Sequence, residues 1–572
     1  MGKSLLLTAP AGAVVFCLLA LGHGASAPTE TPHPRRPVAV SLSADGKRLF
    51  VANRSGTVSV LDTAARRVVA EAAVGRRLAD LTAASDGRLL AVDEEAGELV
   101  VLTQDGGGLK VSRRIQVAAS PVCVRTDGGG SRWYVASLWA RQVTVLERQG
   151  EGRRVIDVPF APRQLLPLPG EKKLLIADSF GGKLAVVDLA AAKVEAVHTL
   201  DAHAFRGLAV SGDKVLLAHQ VLAPRTPTTA EEMHWGNVLH QAVRSLPLSA
   251  LLTPGADVLR GAELRPLGEP GRGAGDPAGL AVAGDGTTVV TLGGVGEITF
   301  GKETDDGWSR LEVGRRPTAV AVSADGKHAF VADTSADAVA FVDLPGRKVE
   351  ATVALGPQPV LTAEERGELL FYDARLSREG WFSCHSCHTD GHTSGGLSDT
   401  LSDGGFGAPK RVLSLLGVKD TGPWTWVGGS PDLAGQVRKS ILTTMRGSRV
   451  RDEQVQDLTA YLRTLTPPPP ARKPDEASVS RGRAAFDRHG CVKCHAPPTY
   501  TSPKTYDVGL HDEAGNVAFN PPSLRGVGQA GPYLHDGRAA TLEEVFVRYA
   551  HPGPNPIPRG EVGDLVNFLR NL

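Results

Sequence analysis

Six cysteines occur in 572 residues, and four of them fall into two copies of one pattern, Cys384-His385-Ser386-Cys387-His388 and Cys491-Val492-Lys493-Cys494-His495. Cys-x-x-Cys-His is the attachment pattern of a c-type haem. Each thiol closes a thioether on one vinyl group of the porphyrin, and two intervening residues let the backbone span that edge. The histidine that follows then falls beneath the ring, within reach of iron. Two covalent haems are therefore expected, on Cys384 with Cys387 and on Cys491 with Cys494, with His388 and His495 as proximal iron ligands. Redox-active or zinc-binding Cys-x-x-Cys elements are the alternative, and they leave the histidine after each pattern unexplained.

The elements that must position these groups make a chain too long for one core. Its 63 basic and 62 acidic residues nearly cancel, so nothing points to a nucleic-acid or acidic-membrane partner. Residues 1–27 read as a secretory signal, with Lys3, an apolar run from Leu5 to Leu21 and Ala25-Ser26-Ala27 as cleavage site. An uncleaved anchor is the rival reading. Export, to a periplasm or its equivalent, suits covalent haem, and no stable membrane span is expected after cleavage. Cys123 is the one remaining cysteine of the mature chain and reads as a small buried apolar residue.

From about 36 to 356 the chain repeats itself. Ser43-Ala44-Asp45-Gly46-Lys47 before Leu49-Phe50-Val51-Ala52-Asn53 returns as Ser323-Ala324-Asp325-Gly326-Lys327 before Ala329-Phe330-Val331-Ala332-Asp333. The turn falls at Asp45-Gly46, Asp86-Gly87, Asp127-Gly128, Gly170-Glu171, Gly212-Asp213, Asp285-Gly286 and Asp325-Gly326. Seven units of four short strands predict a seven-bladed β-propeller. The longer gap after Gly212 places an insertion at about 221–260 in blade five, whose Glu231 to Trp235 and Val238 to His240 suit a docking loop. His203, His219, His234 and His240 gather there; they read as scattered histidines, with a metal site as the alternative. These units resemble the YVTN-type propeller repeats of exported bacterial proteins.

After Pro359 the pattern turns helical, and two stretches align. Gly367-Glu368-Leu369-Leu370-Phe371 matches Gly482-Arg483-Ala484-Ala485-Phe486, and Gly422-Pro423-Trp424-Thr425-Trp426 matches Gly531-Pro532-Tyr533-Leu534-His535. Each ends in an amphipathic helix. The expectation is an all-α tandem pair of c-type cytochrome domains, 357–466 and 476–572, joined by a stiff proline-rich linker at 467–475.

Such a tandem resembles the bacterial dihaem cytochrome c peroxidases and their MauG-type relatives, most specifically from Pro522 to Arg538. The resemblance implies an oxidoreductase in which one haem reacts with peroxide, or drives oxidation of a small or protein substrate. The other relays electrons from a small soluble donor or acceptor, a c-type cytochrome or cupredoxin. It makes Trp426 the inter-haem electron relay and sets His535 in the inter-haem region with its role open. It also points to Tyr549 as sixth ligand of the second haem, with His551 as rival. The departures are that Gly404, before Gly405-Phe406-Gly407, stands where the family has a distal histidine, with His392 the only one nearby. An expected carboxylate is missing around Met445-Arg446, where Asp452 and Glu453 are closest. The Asn that helps hold calcium is replaced near Arg411, which makes calcium doubtful. The competing function is a non-catalytic dihaem electron-transfer protein whose propeller is a platform for partners; a binding module that senses redox state is a third.

Overall fold

The structure, a computed structural model, describes residues 1–2, 33–147, 152–170, 172–470, 475–553 and 556–572. The apolar segment read as a signal, with Cys17, lies outside the described residues, as do Glu171 and Pro474.

Seven four-stranded antiparallel sheets follow one another along the chain, over 37–73, 78–116, 121–157, 162–199, 203–266, 277–312 and 317–354. Each is a meander of consecutive strands, as the Asp-Gly turns predict. The carboxylate ending a second strand collects backbone N–H groups at the start of its blade. Asp93 accepts from Arg76 N and Arg77 N at 2.7 and 3.2 Å, and Asp333 accepts from Arg315 N and Arg316 N at 2.7 and 2.9 Å. The ring closes without exchanging strands. Asp337 accepts from the backbone of Arg35 and Arg36 at 2.9 and 2.7 Å, and Leu49, Val51 and Leu61 share a buried cluster with Phe330, Val339 and Phe341. Each blade keeps short edges at its first and fourth strands, as radial repetition does. Cys123 is buried in the core of blades three and four, and burial pushes its thiol up to about 12.

Blade five departs from the expected single insertion. The strand Leu239–Pro247 runs through the middle of 221–260, and the added chain is split around it. One part holds the short helix Ala230–His234 and the other Leu248–Leu252.

Behind the propeller, two helix pairs repeat one crossing. The helix Ala363–Phe371 crosses Asp452–Thr464 at Gly367, where a Cβ would lie 2.0 Å from the Asp457 carbonyl oxygen. The helix Glu476–Arg488 crosses Arg559–Leu569 at Gly482, where a Cβ would lie 2.0 Å from the Asp564 carbonyl oxygen. The preceding arginine clamps the same aspartate in each. Arg366 Nε and Nη2 donate to Asp457 at 2.8 and 2.7 Å, and Arg481 Nε and Nη2 to Asp564 at 2.6 and 2.8 Å. Such forked pairs fix orientation as well as distance. Among the described residues no helix is long and apolar enough to cross a membrane.

Candidate functional site

The first cysteine pattern forms a short helix, Cys384–Cys387, and the second a tight turn, Cys491–Lys493. All four thiols are free. His388 Nδ1 donates to the Leu413 carbonyl at 2.8 Å, and His495 Nδ1 to that of Tyr500 at 3.1 Å. A histidine anchored through Nδ1 presents Nε2 as a lone-pair donor. Burial pushes the His388 imidazole down to about 4 and lowers that of His495, so both are neutral at pH 7.

Both patterns line one largely apolar cavity of about 640 Å³. Its lining includes the four cysteines, both histidines and Trp426. Among the described residues, no three His, Cys, Asp or Glu side chains converge as a metal cluster. Each pattern therefore offers one imidazole and two thiols against an apolar wall. That donor set fits a covalent haem and does not make a four-ligand zinc cage.

Between the patterns the two halves cross reciprocally. Arg411 N donates to the His535 carbonyl, and Asn520 N to that of Trp426, both at 2.7 Å. Trp426 and His535 are equivalent in the sequence repeat, as are Arg411 and Asn520. Trp426 is buried, its Nε1 donates to Arg411 O at 2.8 Å, and its ring lies 6.4 Å from that of His535. His535 stacks on Phe519 at 4.3 Å, with Nε2 buried and unpartnered.

Opposite His495 the sequence preference is reversed. Tyr549 does not line the cavity; its hydroxyl donates to Arg538 O at 2.8 Å, and Arg538 and Arg548 lie 6.0 and 5.4 Å from its ring. The helix Leu542–Val547 ends before it, and Ala550 at φ 48° turns the chain back. His551 thereby enters the cavity, its ring centroid 6.5 Å from that of His495. With metal–imidazole bonds of about 2 Å, two imidazoles at about this separation would be able to hold one metal ion together.

Opposite His388 the loop Gly404–Gly407 does not cover the cavity. Phe406 is 37% exposed, with the Arg446 guanidinium 6.0 Å from its ring, and it is absent from the cavity wall. His392 is committed on both nitrogens: Nδ1 accepts from Ser414 Oγ at 2.9 Å and Nε2 donates to Gln529 O at 3.0 Å. The wall is built from the turn Leu401–Asp403 against the π-turn Ser440–Thr444, and it brings Asp403, Gln436 and Met445 to the cavity. Asp403 was missed in the sequence, although it adjoins the Gly404 that replaces the family histidine. One of its oxygens, Oδ1, is buried without a partner, and Lys410 Nζ lies 3.7 Å from Oδ2. Burial raises its pKa, with Lys410 opposing. Lys410 also pairs with Asp512 at 2.9 Å. Asp452 and Glu453 are exposed and outside the wall.

The propeller grips the first pattern from behind. Ser383 Oγ and Ser386 Oγ both donate to Asp276 at 2.5 Å, Gln220 Nε2 donates to it at 2.9 Å, and His203 Nε2 donates to Ser386 O at 2.8 Å. Asp276 is held at φ 56°, sparsely populated for a residue with a Cβ. Arg206 pairs with Asp390 at 2.8 Å, and Arg316 lies 3.3 Å over the Tyr372 ring. The blade-five extension is the docking loop the sequence suggested, and its target is this chain. Met233, Val238 and Leu239 join Phe371, Trp381 and Phe382 in one buried cluster, and His234 meets Glu379 at 3.1 Å. Two of the blade-five histidines thus serve docking. Asp276→Ala strands two buried serine hydroxyls at about 1–3 kcal/mol each, so thermal unfolding should show a clear loss. Combined with Ser386→Ala, the losses should fall short of additive.

Residues 362–467 match the family model for di-haem cytochrome c peroxidase. The chain is 29% identical over 275 residues to the methylamine utilization protein MauG of Methylorubrum extorquens, which covers 36% of this chain and 76% of that protein. Against the cytochrome c551 peroxidase of Nitrosomonas europaea it is 27% identical over 268 residues, 36% of this chain and 79% of that protein. The hydrazine synthase subunit gamma of Kuenenia stuttgartiensis is 24% identical over 269 residues, 36% of this chain and 76% of that protein. A solved structure of Kuenenia stuttgartiensis hydrazine synthase superposes with a TM-score of 0.49 at 19% identity, covering 56% of this chain and 98% of that one. The chain thus folds as a seven-bladed propeller followed by a C-terminal region similar to di-haem cytochrome c peroxidase and MauG proteins.

Proposed function

We propose that this chain is an exported dihaem c-type oxidoreductase, with a reactive haem on Cys384, Cys387 and His388 and an electron-relaying haem on Cys491, Cys494, His495 and His551. The carrying observation is the cavity lined by both patterns and Trp426, with a second imidazole, His551, 6.5 Å from His495 and, among the described residues, no ring so placed against His388. Bound haem supplies one-electron redox chemistry and an iron able to take a peroxide oxygen. The chain supplies the rest. Trp426 sets a π-system between the two patterns, and the Asp403 carboxyl holds and transfers the proton that peroxide cleavage requires, with Lys410 keeping it in place. Hydrogen peroxide or a small oxidant is the substrate class. A small soluble electron carrier meets the second pattern, where Lys493 is exposed, because the propeller buries His385 and Ser386 of the first.

Electron paramagnetic resonance of the ferric protein, followed by peroxide, tests this reading. One high-spin signal, lost on adding peroxide, is expected; two low-spin haems inert to peroxide would leave only electron transfer. A low-spin first haem that turns high-spin in Met445→Leu would make Met445 its ligand and defeat the open site. Asp403→Asn should slow the peroxide reaction about 100-fold and flatten its dependence on pH, while azide still binds. An unchanged rate removes Asp403 from the chemistry.

A further inference from the structure

Among the described residues, two arginines of the cavity wall lack a carboxylate partner: Arg525, half-buried and spent on the carbonyls of Gly417 and Lys419, and Arg411, which is buried. Arg411 is 6% exposed and lines the cavity between the two cysteine patterns. Its Nη1 donates to Ala530 O at 3.1 Å, its guanidinium lies 5.6 Å from the Trp426 ring, and its Nε is buried without a partner. Among the described residues it has no carboxylate partner. Burial pulls its pKa down to about 10, opposed only by Tyr533. The neighbouring Lys410 is different, being answered by Asp512. Asn520, the equivalent of Arg411 in the other half, is neutral and spends its amide on Pro423 O and Thr425 O. At this position the charge is therefore a feature of one half alone, and it is more deeply buried than Arg525 of the other half.

An isolated buried guanidinium is costly, and it persists where a ligand brings the counter-charge. The group implied for this cavity carries two carboxylates, and a guanidinium fork matches a carboxylate. Resting on the two-haem reading above, we propose that Arg411 is the resident cation between the cofactor sites, binding a porphyrin carboxylate. A fixed positive charge beside one haem stabilises its reduced form more than that of the other haem, so the two potentials are set apart by the chain itself.

The test uses the full-length holoprotein, with haem counted by pyridine haemochrome and midpoint potentials read by optical redox titration. R411Q should keep two haems but shift one midpoint negative, by a tenfold change in its oxidised-to-reduced ratio, about 59 mV for one electron. R411K should restore most of that shift, and wild-type potentials should not respond to EDTA or added calcium. Unchanged potentials in a fully loaded R411Q overturn the proposal, as does a wild-type protein whose potentials move on chelation and return with calcium. If R411Q fails to accumulate, a loaded R411K with wild-type potentials supports the charge. Failure of R411K as well assigns Arg411 to packing and overturns it. A wild-type count below two brings down the two-haem reading separately. The pairing then falls only if the remaining haem ignores R411Q.

Discussion

A Cys384→Ala/Cys387→Ala variant is expected to carry one haem where the wild type carries two, and a Cys491→Ala/Cys494→Ala variant likewise, counted by pyridine haemochrome. The stability effects should be unequal. Either loss empties part of a cavity of about 640 Å³, and unfilled volume costs on the order of 24 cal/mol per Å³, several kcal/mol even where water enters. The first pattern is also the surface the propeller holds, through Asp276, His203 and the Met233–Trp381–Phe382 cluster. Its loss loosens the docked face as well as the cofactor site, so that variant should show the larger fall in Tm. A count that stays at two, or bound zinc in place of haem, would defeat the assignment.

The propeller was legible because its period is written in the chain. A meander returns the same turn at the same interval, and the interval survives substitution of almost every core residue. Blade five shows where spacing runs out. A long interval reveals that residues were added, but it cannot show that they flank the strand Leu239–Pro247 instead of forming one block. The sequence repeat between the two stretches of the C-terminal region has a structural counterpart, because Gly367 and Gly482 permit contacts of backbone with backbone that any side chain would block.

The candidate site is written in the sequence only where spacing is local, and it is not written where the chain meets itself over long distances. Cys-x-x-Cys-His needs only five residues to declare itself. Asp403 reaches the cavity because its turn packs on Ser440–Thr444, some forty residues away by sequence, and no periodicity reports that. His203 and His234 were visible as a cluster, but their partners Ser386 and Glu379 lie in another domain. Arg411 was visible in the sequence as a charged residue, and only the structure shows that the charge is buried without a carboxylate partner among the described residues.

His551→Ala should convert the haem held by His495 from low-spin to high-spin, move its Soret band and open it to azide, while Tyr549→Phe leaves both haems as they were. The family resemblance, counted from His535, favours Tyr549, with the helix expected to end near Ala550. In the structure Leu542–Val547 ends before Tyr549, His551 N returns to Val545 O at 3.1 Å, and Ala550 takes a left-handed conformation. The phenol is thereby turned outward onto Arg538 O, and the imidazole inward. Protonation state agrees with position. Burial, reinforced by His495, pushes His551 down to about 4, so at neutral pH its imidazole is already the neutral form a metal requires. A phenol would have to lose a proton of pKa about 10 first. Imidazole also leaves the iron more reducible than phenolate would, so His551→Tyr should lower that haem's potential. Electron paramagnetic resonance and redox titration of the three variants decide the matter. A spectrum altered by Tyr549→Phe and untouched by His551→Ala would restore the tyrosine ligand.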